Sequence, residues 1–326
     1  AQTMPSYFYQ QQIFFDLTIK KIFNNSWQFI IDKKSLQNNK IFPFYFLKDS
    51  INEPLLISKN KEIKCFSNVC THRANILCNH PSNKKTIKCN YHGRIFDLDG
   101  VFKFMPGFEG VKNFPTQNDN LKETKIKIWN DFIFCSINGK IKIDSAINKI
   151  SNELQNYPFD RLTFDSDSSN EYVIDVHWAI YCENYLEGFH VPYVHKGLND
   201  DIDLNLYETI LFNNGVLQRA KDKNNNKKIY AHYFWIFPNL MFNFYEWGLS
   251  INVIEPINKN KTKIKFFSYP INGCKQPNKS NASLERVERE DQKIVSQVQK
   301  GLKSQFYSRG RYSVAHERGI HYFHQL

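Results

Sequence analysis

Cysteine is scarce and odd in number: 7 among 326 residues, at positions 65, 70, 78, 89, 135, 182 and 274. So sparse a set argues against a disulfide framework and points to metal or redox use. No apolar run approaches the ~20 residues of a membrane span, and the first residues lack the charged, apolar, small-residue order of a signal peptide. The expectation is therefore a cytoplasmic protein with no membrane partner. Internal repeats and low-complexity linkers are also missing. The chain carries 43 basic against 32 acidic residues, a net charge of +11, but its lysines are scattered through stretches such as 259–265 and no recognition motif accompanies them. That excess reads as a solvated basic surface, with no nucleic-acid partner. What the sequence does hold is 41% hydrophobic and 15% aromatic residues, enough burial to offset the ordering entropy of a globular chain. Its length fits roughly two domains.

The texture changes near Lys140. Before it, short β-type runs at 27–31, 42–47, 55–58, 63–67, 94–97 and 132–137 alternate with Asn/Asp/Gly/Pro clusters, which predicts a small antiparallel all-β domain over 27–139. Beyond it the pattern predicts a helix over 176–195, strands over 230–237 and 263–268, and a long helix over about 282–302. The expected class is α+β. The second domain, 140–326 with 1–26 packing on it, should be an antiparallel sheet flanked by helices.

The strongest signal in the first half is Cys70-Thr-His72 followed, sixteen residues on, by Cys89-Asn-Tyr-His92. Each pair sets one soft thiolate beside one imidazole, whereas a structural zinc site usually groups Cys with Cys and His with His. The mixed pairing suits a two-iron cluster in which one iron takes both thiolates and the other both imidazoles, the arrangement of a Rieske centre. A zinc ribbon is the alternative. Cys65 and Cys78 fall outside the pattern and read as ordinary buried thiols.

A second constellation runs Glu183-Asn-Tyr-Leu-Glu187-Gly-Phe-His190-Val-Pro-Tyr-Val-His195. On a continuous helix Glu183, Glu187 and His190 share one face. His195 lies about 140° from His190, so both imidazoles can meet one ion only if the helix breaks between them. Pro192 offers the break. Two core or surface histidines on an aromatic helix are the plainer reading. A third ligand is needed for the two-His-one-carboxylate triad that leaves open positions on ferrous iron. With Asp291 as origin, Leu284, Leu302, Val298, Val287 and Val295 fall within about 40° of it on the final helix, while Glu290 lies about 100° away toward solvent. Asp291 is thus central on an apolar face, where it needs a cation: a metal, or an arginine such as Arg289 or Arg311.

The stretches Cys70-Thr-His-Arg-Ala-Asn and Cys89-Asn-Tyr-His-Gly-Arg-Ile-Phe-Asp-Leu-Asp-Gly100, with Phe114-Pro115 after them, resemble the Rieske domain of Rieske non-haem iron oxygenases. The segment from Glu183 to His195, Pro238-Asn239, and Asp291 through Gly301-Leu302 resemble the catalytic domain of the α subunits of this ring-hydroxylating family. Two departures stand beside the cluster motif, Asn90 for Pro and Arg94 for Trp, and His177-Trp178-Ala179 replaces the usual Asn-Trp-Lys. The wording Glu-Asn-Tyr-Leu-Glu, with Arg311-Tyr-Ser and His321-Tyr-Phe-His324, is similar to the branch of choline monooxygenase and the carnitine and glycine betaine oxygenases.

The resemblance implies a [2Fe-2S] cluster on Cys70, His72, Cys89 and His92. It also implies a mononuclear Fe(II) on His190, His195 and Asp291, with Glu187 as the carboxylate linking that iron to a neighbouring subunit's cluster. Electrons from NAD(P)H would come through a separate reductase or ferredoxin, the subunits would form a head-to-tail homotrimer, and O2 would hydroxylate or N-dealkylate a small organic substrate. For substrate, Tyr230, Phe234, Trp235, Phe237, Phe242 and Phe244 are either core or an aromatic pocket for a quaternary ammonium group. An aromatic acid, bound by a basic residue in a ring-hydroxylating enzyme, is the alternative. Two other classes are a Rieske electron carrier without oxygenase activity and a zinc-stabilised binding protein.

Overall fold

The structure is a computed structural model and describes residues 1–37, 39–272, 274 and 284–326. The chain divides into two compact units, Asn24–Lys140, and Ala1–Phe23 together with Ile141–Leu326. Among the described residues no helix is long and apolar enough to cross a membrane.

The unit Asn24–Lys140 is built of three three-stranded antiparallel sheets. Phe132–Ser136 is buried at every position and sits between Gln28–Asp32 and Lys125–Trp129, as an uninterrupted apolar run requires of a central strand. Glu53–Lys59 is flanked by Ile41–Phe46 and Ile63–Ser67, and Ile95–Asp97 by Thr86–Lys88 and Phe102–Phe104. The three strands without a predicted counterpart, Thr86–Lys88, Phe102–Phe104 and Lys125–Trp129, are short or carry lysine at alternate positions, which leaves little hydrophobic pattern to read. Cys70 and Cys89 belong to the same buried core as Ile41, Leu56, Phe66, Ile87 and Phe96. Both cysteine loops are therefore rooted in packed side chains. Gly100 is required where it stands: its φ is +77°, and a Cβ there would lie 2.7 Å from the Phe66 ring.

The other unit centres on a seven-stranded antiparallel sheet. From one edge its order is Asp165–Ile174, Lys261–Pro270, Gly248–Asn258, Leu240–Tyr245, Ile229–Ile236, Gly215–Asp222, Ile202–Phe212. Successive pairings align Gln218 with Tyr233, Tyr233 with Asn243, Asn243 with Ser250 and Ser250 with Ser268. Directly opposed residues share a face, so the register draws a polar row across five strands. These polar positions interrupt the apolar alternation, which is why most of this sheet is hard to see in the sequence. Helices Trp178–Tyr185, Leu284–Gly301 and Arg318–Gln325 belong to this unit. The last approaches closely because Gly319 has no Cβ, which would otherwise lie 2.4 Å from the Leu186 carbonyl oxygen. Residues Phe8, Tyr9 and Phe15, on the two N-terminal helices, set their rings against the buried His177.

Two helix expectations are corrected. The helix predicted over 176–195 ends at Tyr185, and a new short helix, Val191–Val194, starts after His190. The break thus precedes Pro192, which occupies the second position of the new helix, where a missing N–H leaves no intrahelical partner unsatisfied. The final helix is described from Leu284 to Gly301; residues 282 and 283 of the predicted span lie outside the described residues. Its buried side follows the apolar stripe only in part, at Val295 and at Leu302 just past its end. Glu288, Val295 and Gln299 are buried while Val298 is 44% exposed, because polar groups on Tyr181 and the His177 backbone receive Glu288 and Gln299.

Candidate metal centres

The two Cys/His loops close in the same way. The Cys70 N–H donates to the Asn75 carbonyl and Ala74 N–H returns to the Cys70 carbonyl, at 2.8 and 3.0 Å; Cys89 N–H to Arg94 and Gly93 N–H to Cys89 repeat the pattern at the same distances. Ala74 and Gly93 both take positive φ, 53° and 75°. Each loop buries its thiol and brings its imidazole toward the surface: Cys70 and Cys89 are 3% and 1% exposed, and the half-buried His72 and His92 rings stand 4.8 Å apart. Burial holds the Cys70 thiol above its ordinary pKa. Burial raises Cys89 too, but the backbone N–H groups of Tyr91 and His92, together with Cys70 and Asn75, outweigh it and bring that thiol below the ordinary value. Two inner sulfurs and two outer nitrogens fit a two-iron cluster with one iron on each pair.

Behind the loops stands Arg94, whose side chain is 2% exposed. Its Nη2 donates to Asp119 Oδ1 at 2.6 Å, and its guanidinium lies 4.9–5.7 Å from the ring centroids of Phe96, Phe102 and Phe114. Thr71, between the first cysteine and histidine, donates its hydroxyl to the Asp119 carbonyl at 2.8 Å. Arg94 and Asp119 therefore brace both loops. The departure from Trp at this position is structural, not cosmetic.

In the other unit, ligand atoms of His190, His195 and Asp291 all lie within 4.8 Å of one another. The His195 Nε2 is 3.1 Å from His190 Nε2 and 3.0 Å from Asp291 Oδ1, and His190 Nε2 is 3.6 Å from the same oxygen. Each outer ring nitrogen has its own carboxylate. Glu187 Oε1 is 2.6 Å from His190 Nδ1, and Glu290 Oε2 is 2.8 Å from His195 Nδ1. A carboxylate acceptor keeps the proton on Nδ1 and leaves the Nε2 lone pair facing inward. With both rings neutral, two lone pairs and a carboxylate oxygen then converge, an arrangement that a divalent cation stabilises. Burial depresses the His195 pKa, but Asp291 and Glu290 outweigh it and raise the pKa above its usual value. Asn184 Nδ2 donates to Asp291 Oδ1 at 2.6 Å and holds the carboxylate in place.

Glu187 is placed by its own loop: its Oε2 accepts from the backbone N–H of Phe189 and of His190. Glu183, expected on the same helical face, is directed elsewhere, to Tyr9 Oη at 2.6 Å and His324 Nε2 at 2.9 Å. Arg289 pairs with the exposed Glu285, so it is not the cation at Asp291. Two functional candidates escape sequence reasoning. Glu290 was expected toward solvent, yet it reaches His195; its signal is its place beside Asp291. Glu288 is a buried carboxylate on the same helix, invisible to an apolar-stripe argument.

A cavity of about 610 Å³ opens beside the triad, lined by seven tyrosines (172, 181, 185, 207, 230, 233 and 245), by Glu288, and by the polar row Gln218, Asn243, Ser250 and Ser268. Of the six aromatic residues expected as core or pocket, Tyr230 alone lines it; Phe234, Trp235, Phe237, Phe242 and Phe244 are core. Phe234 lies next to Tyr233 along its strand and so faces the opposite side of the sheet.

Residues 26–115 match the family described as the Rieske [2Fe-2S] domain, and 202–326 match the ring hydroxylating alpha subunit catalytic domain. The chain belongs to the Rieske non-haem iron oxygenases. The oxygenase is 29% identical to the chloroplastic choline monooxygenase of Arabidopsis thaliana, over 100% of its own length and 82% of that protein. It is 26% identical to the carnitine monooxygenase oxygenase subunit of Escherichia coli, over 100% and 93%. Its fold matches that of the quaternary ammonium Rieske monooxygenase CntA, seen in complex with L-carnitine, with a TM-score of 0.81 at 23% identity over 99% and 94% of the two chains. Naphthalene 1,2-dioxygenase shares the fold at a TM-score of 0.70 and 16% identity, over 93% and 81%. The cofactors of the oxygenase are a Rieske [2Fe-2S] cluster and a mononuclear iron. It is a terminal oxygenase, using O2 and reductase-derived electrons.

Proposed function

We propose that this oxygenase hydroxylates or N-dealkylates a small quaternary ammonium compound. The observation that carries the reading is the cavity: seven tyrosines line it, and among the described residues no lysine or arginine does. A quaternary nitrogen offers no hydrogen, so it is recognised by aromatic faces and negative charge, and both are present. An aromatic acid would call for a basic residue, and the polar row is poorly suited to a bare hydrocarbon. The names of the choline and carnitine monooxygenase relatives support the same substrate class.

Cys70, His72, Cys89 and His92 are assigned to the cluster, within a Rieske domain over 27–139. His190, His195 and Asp291 are assigned to the iron, within a catalytic domain over 140–326 with 1–26. When bound, the cluster supplies single electrons and the ferrous ion an oxygen-activating centre with open positions. Glu187 and Glu290 orient the two imidazoles through Nδ1, and Asn184 fixes Asp291. Tyrosine faces hold the substrate cation, and the polar row meets its hydrogen-bonding end. Glu187, with a side chain 10% exposed, is the hydrogen-bonded link toward the cluster of a neighbouring copy in a head-to-tail homotrimer. NAD(P)H electrons enter through a separate reductase or ferredoxin. The test is a single turnover: reduced enzyme mixed with O2 and choline, carnitine or glycine betaine should convert one of them in proportion to its active sites. Cluster oxidation with none of the three consumed would defeat the reading.

A further inference from the structure

The acidic residues of the cavity differ in what they already hold. Asp291 and Glu187 are engaged with the imidazoles. Glu285 has a 60% exposed side chain and pairs with Arg289, and Asp167 is exposed to solvent. Glu288 is 6% exposed, lines the cavity, and has no cationic partner among the described residues. Its Oε2 accepts from Tyr181 Oη at 2.5 Å and its Oε1 from Gln292 Nε2 at 2.8 Å. A carboxylate has about four lone-pair directions, so each oxygen keeps accepting capacity that no described group uses.

Electrostatics agrees with the geometry. Burial, the largest influence, pushes the Glu288 pKa up to about 8, and Asp291 adds to the rise; the hydrogen bonds from Tyr181 and Gln292, and the charge of His195, oppose it without cancelling it. Such a group is largely protonated at neutral pH while the cavity is empty, and a cation beside it favours the ionised form. The cavity beside it has tyrosine walls, and Tyr172, within electrostatic reach of Glu288, lines the same space. Ring faces and a carboxylate attract the same ligand charge, a compact cation, and the quaternary ammonium reading makes it one that donates no hydrogen bond.

We propose that Glu288 is the substrate's counter-ion, the residue that makes this cavity select a quaternary ammonium group over an uncharged group of the same shape. The assignment rests on the quaternary ammonium reading above and names the residue that enforces it. Glu288 and Asp291 are three positions apart, so the two carboxylates neighbour each other on one helix face. An onium group at Glu288 is thereby held beside the metal-facing carboxylate, with the rest of the substrate free to reach the polar row.

The experiment is equilibrium binding to the iron-loaded enzyme of two probes: choline, and its carbon isostere in which the ammonium nitrogen is replaced by carbon. Wild-type enzyme should prefer choline. Glu288→Gln, which keeps the size of the side chain and an oxygen for Tyr181, should weaken choline binding about tenfold or more while changing the isostere's affinity less than about threefold. Glu288→Asp, which keeps the charge, should retain a clear preference for choline. If Glu288→Gln binds choline as tightly as wild type, or loses both probes equally, Glu288 has a packing role and the proposal is overturned while the quaternary ammonium reading stands. Wild-type enzyme that binds the isostere but no quaternary ammonium compound would overturn both.

Discussion

Replacing Arg94 by Met tests whether the two cluster loops are held together from behind. The guanidinium is almost fully buried, whereas the Asp119 side chain is 20% exposed and keeps hydrogen bonds from the Thr116 N–H and hydroxyl. Truncating one partner of a buried ion pair typically costs about 3–5 kcal/mol. The solvent contact and remaining donors of Asp119 place this case at the low end. Met refills part of the volume and gains sulfur–aromatic contacts of about the size of the cation–π contacts it removes. The expected loss is about 2–3 kcal/mol. Urea unfolding of the cluster-loaded protein, followed by visible absorbance, should show it as a lower midpoint, and the cluster should be lost faster to a chelator. Because the Arg94 guanidinium meets the Asp119 carboxylate directly at 2.6 Å, a double-mutant cycle with Asp119→Asn should give a coupling of about 1–3 kcal/mol. An unfolding free energy within about 0.5 kcal/mol of wild type, with unchanged cluster lifetime, would refute the brace.

Three further outcomes follow from the same geometry. Glu187→Gln should retain both metals and substrate affinity but slow oxidation of the cluster after O2 is added to reduced, substrate-bound enzyme; an unchanged rate with the assembly intact would reduce Glu187 to a packing residue. Glu290→Leu should weaken mononuclear iron binding about 10- to 100-fold, read by competition with a chelator, because His195 loses the acceptor that fixes its tautomer; unchanged affinity would remove Glu290 from that role. His177 is buried and its pKa is depressed to about 3, chiefly by burial, from 6.5. Below about pH 6.5 the unfolded chain takes up a proton that the folded one refuses, so stability should fall by up to about 1.4 kcal/mol per pH unit from this residue alone. His177→Asn keeps an N-cap acceptor for the Ala179 N–H and should flatten that slope; an unaltered slope would mean His177 is protonated in the folded state.

The legibility of this chain divides by chemistry. Cys70, His72, Cys89 and His92 stand out because their mixed spacing suits few sites, and each pair is short enough for one loop to position it. His190 and His195 were found with the wrong local structure. The helix ends at Tyr185, just before Glu187 captures the next backbone N–H groups, and no periodicity argument foresees a side chain capping the loop after it. Asp291 lies on an apolar stripe that the fold honours only in part: Val295 and Leu302 are buried, but Val298 is exposed while Glu288 and Gln299 are buried. The helix turns its polar flank inward because the Tyr181 hydroxyl and the His177 N–H wait there, partners that lie more than a hundred residues away in sequence. Glu290, on the other flank, escapes because its partner His195 comes from a distant segment of the chain. The cavity is legible only in part: of the aromatic residues read as core or pocket, the phenylalanines and Trp235 are core, while tyrosines and an amide–hydroxyl row form the lining. Such a row resembles solvent-facing strand until cross-strand register brings Gln218, Asn243, Ser250 and Ser268 together.

The central claim is that four residues hold a two-iron cluster and three others hold a separate iron. Iron and acid-labile sulfide, measured per chain in wild type and in Asp291→Ala, test it most directly. The account predicts about three iron and two sulfide in wild type, and about two and two in the variant with its Rieske spectrum intact. Two iron in both proteins, or zinc without sulfide in either, would contradict it.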